Sequence, residues 1–380
     1  MARAPLASQD IPEPDCTPGA PHPRHAPQVF GHEPAEAAFL QAFNAGRLHH
    51  GWMITGPRGV GKATLAWKIA RFLLATPDDD GGMFAPPPPT SLDIAPDHPV
   101  IRRMEALGEP RLFLLRRAWN DKTEKLTEVL SVDEVRKMKN FFALSAADGG
   151  RRVAIIDAVD EMNPAAANAL LKLLEEPPAK VTLILIAHQP ARLLPTIRSR
   201  CRELRLVPLR AEPLSDALVQ AGASIDPADR VALAELAGGS VGEAFRLSMN
   251  DGLEVYRGIV ALMDSLPRLD RARAHALSEL AAARGTDRFD LIVTLLDLFL
   301  ARLARAGATR QLPPEAAPGE AALITRLCAD QDAARTWAEL AQNLGLRARR
   351  GKAVNLDPAA LLMDMLLRLD EVAGRLAQPS

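Results

Sequence analysis

Residues Gly56-Pro57-Arg58-Gly59-Val60-Gly61-Lys62-Ala63 follow the spacing G-x-x-x-x-G-K-[ST] up to its last position. In such a loop, successive backbone N–H groups cradle phosphate oxygens and the following helix points its positive end at them. Lys62 would reach the outer phosphates, while Gly59 and Gly61 permit the close backbone approach. Gly56 opens the loop, and a chance glycine turn is the alternative reading. The final position, which ligates Mg²⁺ through a hydroxyl, is Ala63. Thr64 is adjacent, but one step along a helix turns ~100° away. A second metal-side carboxylate would follow the apolar run 153–156, where Asp157 stands. It could equally be a strand-end carboxylate capping the turn before Asn163. The next residue, where a general base would activate water, is Ala158, and loss of such a base commonly costs ~10²–10⁴ in rate. Arg198, Arg200 and Arg202 project together only if their segment is extended. An arginine held at a subunit edge can neutralise charge in a neighbour's phosphoryl transfer, worth ~10³–10⁵ in rate. Otherwise the run is a solvated basic face.

These residues need a scaffold, and the pattern supplies one. Helical spacing places Ala37, Phe39, Leu40 and Phe43 on one face of 36–44. Strand 52–55 runs into the glycine loop, and 63–74 reads as the helix after it, with Leu65, Ile69, Phe72 and Leu73 inward. Further strands are expected at 111–115, 153–157 and 181–187, with helices at 132–144 and 163–176. This alternation predicts an α/β P-loop domain with a parallel sheet covered on both faces. Residues 76–99, with Pro86 to Pro89, read as a surface excursion. Beyond 208 the strands stop. A small helical lid is expected over 208–250 and an all-α domain over 251–380, its segment 291–303 apolar nearly all round and so buried. The α/β domain itself would span 28–207. Residues 1–27, proline-rich and without an apolar h-region, read as a disordered extension and not as a signal peptide.

Bulk composition narrows the function classes. The 380 residues allow two or three domains. A net charge of −1 argues against a surface built wholly for nucleic acid. No apolar run reaches the ~20 residues of a membrane span. Cys16, Cys201 and Cys328 are too scattered for a disulfide framework or a zinc site, so a reducing cytoplasmic setting is expected.

Three further landmarks carry a resemblance. They are Gly46-Arg47-Leu48-His49-His50-Gly51-Trp52, the run Asn168-Ala169-Leu170-Leu171-Lys172-Leu173-Leu174-Glu175-Glu176-Pro177-Pro178, and Ser199-Arg200-Cys201. Together with the loop they resemble the clamp-loader AAA+ family of bacterial DNA polymerase III, over about residues 30–247. The helical remainder fits that family's collar domain by position and composition. The resemblance implies that Arg200 acts in trans, as an arginine finger on ATP bound to an adjacent τ/γ subunit. It also implies that Gly56, Gly59, Gly61, Lys62 and Asp157 form a remnant nucleotide site. Active members carry a glutamate after the aspartate and an arginine in a Gly-Ser-x-Arg pattern; here these are Ala158 and Gly242. With Ala63, these departures resemble the family's non-hydrolysing, stator-like member, with no ATPase activity of its own. No cofactor is required on this reading, although residual ATP or ADP binding stays open. The implied partners are τ/γ and δ subunits and, through the complex, the sliding clamp and primed DNA, with no membrane. The family's four-cysteine zinc module has no counterpart here. Residues 76–110 contain no cysteine, so no zinc is expected, and His98 reads as a loop histidine. Two alternatives remain: an active ATPase in which Thr64 with Asp160 or Glu161 covers the gaps, and a DNA-binding adaptor using the arginine run.

Overall fold

The computed structural model describes residues 12–77, 87–144, 150–283 and 288–378, and the chain divides into two compact units. The first comprises Met1–Gly222 with Gly239–Glu243, and the second Ala223–Gly238 with Ala244–Ser380. The segment expected as a lid, 208–250, is thus shared between the units.

The first unit is built on strands β1 (Gly51–Thr55), β2 (Leu112–Leu115), β5 (Arg152–Ile156), β6 (Val181–Ala187) and β7 (Arg202–Arg205). Their order is β2-β5-β6-β1-β7, and every pairing is parallel. A short hairpin, β3 (Trp119–Asn120) and β4 (Lys125–Leu126), lies outside this sheet. β1, β5 and β6 are buried at every position, which is why they read as unbroken apolar runs. Period-2 alternation then divides their side chains between two cores. Trp52, Ile54, Val153, Ile155, Ile184 and Ile186 face helices α1 (Glu33–Asn44) and α2 (Lys62–Ala75), where Phe39, Leu65, Ile69 and Phe72 meet them. Met53, Ala154, Ile156, Leu183 and Leu185 face α4 (Val132–Leu144) and α5 (Pro164–Glu175) through Met138, Leu170 and Leu173. Asn163 caps α5, accepting from the Ala166 N–H at 2.8 Å.

The structure departs from the sequence reading in three places. Residues 12–27 are folded where disorder was expected; residues 1–11 lie outside the described set. Their prolines shape a short 3₁₀ turn, Pro23–His25, that packs on α2, and the acidic side chains are committed to ion pairs. Residues 196–202 are not extended. Pro195–Arg198 form a helical turn, α6, stabilised by proline at its start, and only at Arg202 does β7 begin. β7 itself was unforeseen because Arg-Glu-Leu-Arg offers a single buried residue, Leu204, as an edge strand does. The 76–99 excursion lies partly outside the described residues (78–86). It is followed by the helix α3 (Pro99–Glu105), whose N-cap is His98, with Nδ1 accepting from Val100 N–H at 3.2 Å. Helix α7 (Ala211–Gln220) closes the contiguous part of this unit.

The second unit is helical: α8 (Arg230–Leu236), the greater part of α9 (Val241–Met249), α10 (Gly252–Met263), α11 (Arg271–Ala281), α12 (Arg288–Thr309), α13 (Glu320–Leu327), α14 (Gln331–Ala353) and α15 (Pro358–Leu376). α12 packs along α14, and α11 along α15. α12 buries Leu291, Ile292, Val293, Leu295, Leu296, Phe299, Leu300 and Leu303, as its nearly all-round apolar surface requires. Inside this unit Glu320 accepts from Tyr256 Oη (2.6 Å), Arg302 Nε (2.7 Å) and the Ala316 N–H (2.8 Å).

Candidate nucleotide site and arginine turn

The parallel sheet delivers its functional residues at strand C-termini, where ligands bind in open α/β sheets. The glycine loop follows β1, Asp157 follows β5, and His188 follows β6 between them. Gly56, Gly59 and Gly61 all have positive φ (144°, 75° and 102°), so the loop demands glycine where the sequence provides it. A Cβ on Gly56 would lie 2.6 Å from the Leu206 carbonyl oxygen.

The loop is turned in on itself. Lys62 is buried, and its ammonium donates to the carbonyls of Gly56 (2.8 Å) and Pro57 (2.5 Å). Burial pulls its pKa down to about 8, against the opposing pull of the Asp157 and Asp160 carboxylates. His32 Nε2 donates to the Val60 carbonyl at 2.6 Å, and the Gly59 carbonyl accepts from Val241 N–H at 2.9 Å. A Cβ on Gly59 would fall 2.1 Å from Ser240 Oγ and 3.1 Å from the Gly242 nitrogen. The position where active relatives are expected to carry an arginine therefore rests directly on the loop as a glycine.

Asp157 is buried, and burial pushes its carboxyl up to about 7. The Asp15 and Glu161 carboxylates add to the rise, while Lys62 and Arg116 oppose it. Ala158 follows with φ 59°, and its carbonyl accepts from the Glu161 N–H. The neighbouring carboxylates are engaged elsewhere. Asp160 accepts from the N–H groups of His188 (3.1 Å) and Gln189 (2.9 Å). Glu161 pairs with Arg58 (2.6 Å) and Arg117 (3.0 Å). Burial and nearby Lys62 pull His188 down to about 4. The structure thus brings Gly56, Gly59, Gly61, Lys62 and Asp157 to one strand-end cluster, without a hydroxyl at Ala63 or a carboxylate at Ala158.

Arg200 stands apart, in the turn between α6 and β7. Its Nη2 pairs with Glu175 Oε1 (3.0 Å) and its Nη1 donates to the Thr196 carbonyl (3.1 Å). Cys201 beside it is packed toward β1, and burial pushes its thiol up to about 12, so it serves as a small apolar filler. Arg198 and Arg202 are exposed, Arg202 with its guanidinium 5.2 Å from the Trp52 ring centroid. Among the described residues no group of His, Cys, Asp and Glu is arranged to hold a metal ion, and no helix is long and apolar enough to cross a membrane.

Asp15, Thr17, His22 and Arg116, which surround this cluster, were not singled out from sequence. Nothing in the proline-rich N-terminal composition marks them, because their importance arises from contacts more than 90 residues apart in the chain, such as Asp15–Arg116.

A family profile described as DNA polymerase III, delta subunit, matches residues 31–210. The chain is 36% identical over 166 residues to DNA polymerase III subunit delta' of Pseudomonas aeruginosa, covering 44% of this chain and 45% of that protein. To the Escherichia coli subunit delta' it is 28% identical over 334 residues, covering 87% and 92%. To the Escherichia coli subunit tau it is 29% identical over 323 residues, covering 80% and 46%. The match thus spans less than half of the Pseudomonas relative and nearly all of the Escherichia delta'. By sequence the chain is similar to the clamp-loader subunits of bacterial DNA polymerase III, and to the delta-prime group among them.

Proposed function

We propose that this chain is the non-hydrolysing subunit of a clamp loader, and that it supplies Arg200 to the ATP site of an adjacent τ/γ-type subunit. The observation that carries the reading is a division of labour. The chain's own loop holds Lys62 on backbone carbonyls, and its metal-side positions are Ala63 and Ala158. Arg200, by contrast, sits on a partly exposed turn, its guanidinium held by Glu175 and the Thr196 carbonyl. A guanidinium brought to a neighbour's phosphates offsets charge that develops in transfer. The engagement of Asp160 and Glu161 in other contacts speaks against either replacing the missing base. The reading extends to δ as a further partner, to the helical second unit as the assembling collar, and to a sliding clamp loaded onto primed DNA through the complex.

The test is reconstitution with τ/γ and δ. Arg200→Ala is expected to lower DNA-stimulated ATPase of the assembly at least tenfold at the site it faces, with assembly intact by size-exclusion chromatography. Unchanged turnover in an intact Arg200→Ala complex would overturn the trans role.

A further inference from the structure

The folded N-terminal strap lies across the cluster described above. Asp15, with its side chain only 4% exposed, pairs with Arg116 (2.8 Å) and with His22 (2.9 Å). Glu13 accepts from the same Arg116 (3.0 Å) and from Arg24 in a two-pronged contact at 2.7 and 2.8 Å. Arg116 directly follows β2, whose last residue, Leu115, accepts through its carbonyl from the Asp157 N–H. The strap is therefore fastened to the strand beside Asp157. His22 also meets Trp67 of α2 edge to face, with centroids 5.7 Å apart.

At the other side of the site the strap reaches the loop. A Cβ built on Gly242 would come within 3.0 Å of Thr17 Oγ1 and 3.5 Å of the Gly59 Cα. Thr17, Gly242 and Gly59 thus converge, so that a side chain at position 242 would press on Thr17. The glycine at the position where the resemblance implies an arginine and the strap's path form one arrangement, since a larger side chain there would start out against Thr17.

We infer that residues 12–22 seal this chain's phosphate loop from within, and that a nucleoside diphosphate or triphosphate binds only when the strap is released. The physical reasons are steric and electrostatic. The strap lays Thr17 against the contact between the loop and position 242, and it places Asp15 on the side of the site where Asp157 and Glu161 already lie, so an incoming phosphate meets added negative charge. It also commits Arg116, a cation otherwise available to a phosphate, to Asp15 and Glu13. This inference rests on the loop being a remnant nucleotide site and is independent of what Arg200 does to a neighbour.

The test uses the full chain and its variant Glu13→Gln/Asp15→Asn, which removes both carboxylates from Arg116 and leaves the core packing intact. Two quantities are measured: hydrogen exchange of the amides of 12–22, and binding of a fluorescent ADP analogue with and without Mg²⁺. The expected result is strap protection and no ADP binding below millimolar concentration for the native chain. In the variant, exchange across 12–22 rises at least tenfold and ADP binding tightens at least tenfold. Tight ADP binding by the native chain with its strap still protected would overturn the sealing role while leaving the nucleotide-site reading in place. A released strap with no gain in ADP binding would instead remove that reading and the inference with it. A variant strap as protected as the native one would overturn the inference, because the strap would then not be held by the contacts from which its sealing is argued. A thermal unfolding midpoint near that of the native chain excludes global unfolding as the source of faster exchange.

Discussion

Arg200 and Glu175 show how a side chain can be held and still remain available. Their side chains are 37% and 43% exposed, and exposed ion pairs contribute only ~0–1 kcal/mol. Little free energy therefore opposes transfer of the guanidinium to a phosphate, which binds it through two parallel hydrogen bonds. Glu175→Gln is accordingly expected to change urea-unfolding stability by less than about 1 kcal/mol and to leave the assembly's ATPase at or above the native rate. Asp157 is the opposite case. Its carboxyl titrates near 7 in the folded chain against 3.8 as the ordinary value. Such a group favours folding most when protonated in both states, and that contribution is lost as pH rises from about 4 through 7. Asp157→Asn should therefore gain stability over the native chain between pH 5.5 and 8.5, by on the order of 2 kcal/mol. Urea titrations at the two pH values check this, and a gap that does not grow with pH would contradict it. Lys62, Asp157 and Arg200 could be singled out from sequence because the chemistry proposed for them depends on residue type and spacing. The sequence concealed Asp15 and Arg116, whose meaning depends on a contact between distant segments.

At the scale of elements, the strands and helices that were legible are those with one dominant period. β1, β5 and β6 are buried on both faces and so read as continuous apolar runs, and α4 was bounded to the residue by its amphipathic repeat. Elements held by edge pairing or a single proline, β7 and α6, left no such trace. α5 carries Glu175 at its C-terminal end and depends on Asn163 at its start, so Asn163→Ala should lower stability by about 1 kcal/mol by chemical unfolding. In the second unit, Arg302→Met removes the cation from Glu320, which is only 1% exposed. An uncompensated buried charge is expected to cost ~3–5 kcal/mol, and Arg302→Met/Glu320→Gln should recover much of that loss, because both charges then leave together. A single variant as stable as the native chain would show that the pair is not what orders that core.

For the whole molecule, the proposed reading is that of a nucleotide-binding fold whose own site is closed while Arg200 serves a neighbour's. The parallel sheet is also the core of the first unit, and the glycine loop has structural contacts of its own: its carbonyls hold Lys62, and Gly59 lies against Ser240 and Gly242. The lid boundary was the least legible feature of the chain. The glycines that punctuate 208–250, Gly222 and Gly238-Gly239, read as turns inside one small helical unit, whereas packing divides the segment between the two units at those same positions. The most direct measurement of the central claim is Mg²⁺-dependent ATP hydrolysis by the purified chain alone, against a Lys62→Ala preparation carried through the same steps. The account predicts identical, background-level rates for both. Turnover by the native chain that Lys62→Ala abolishes would contradict it.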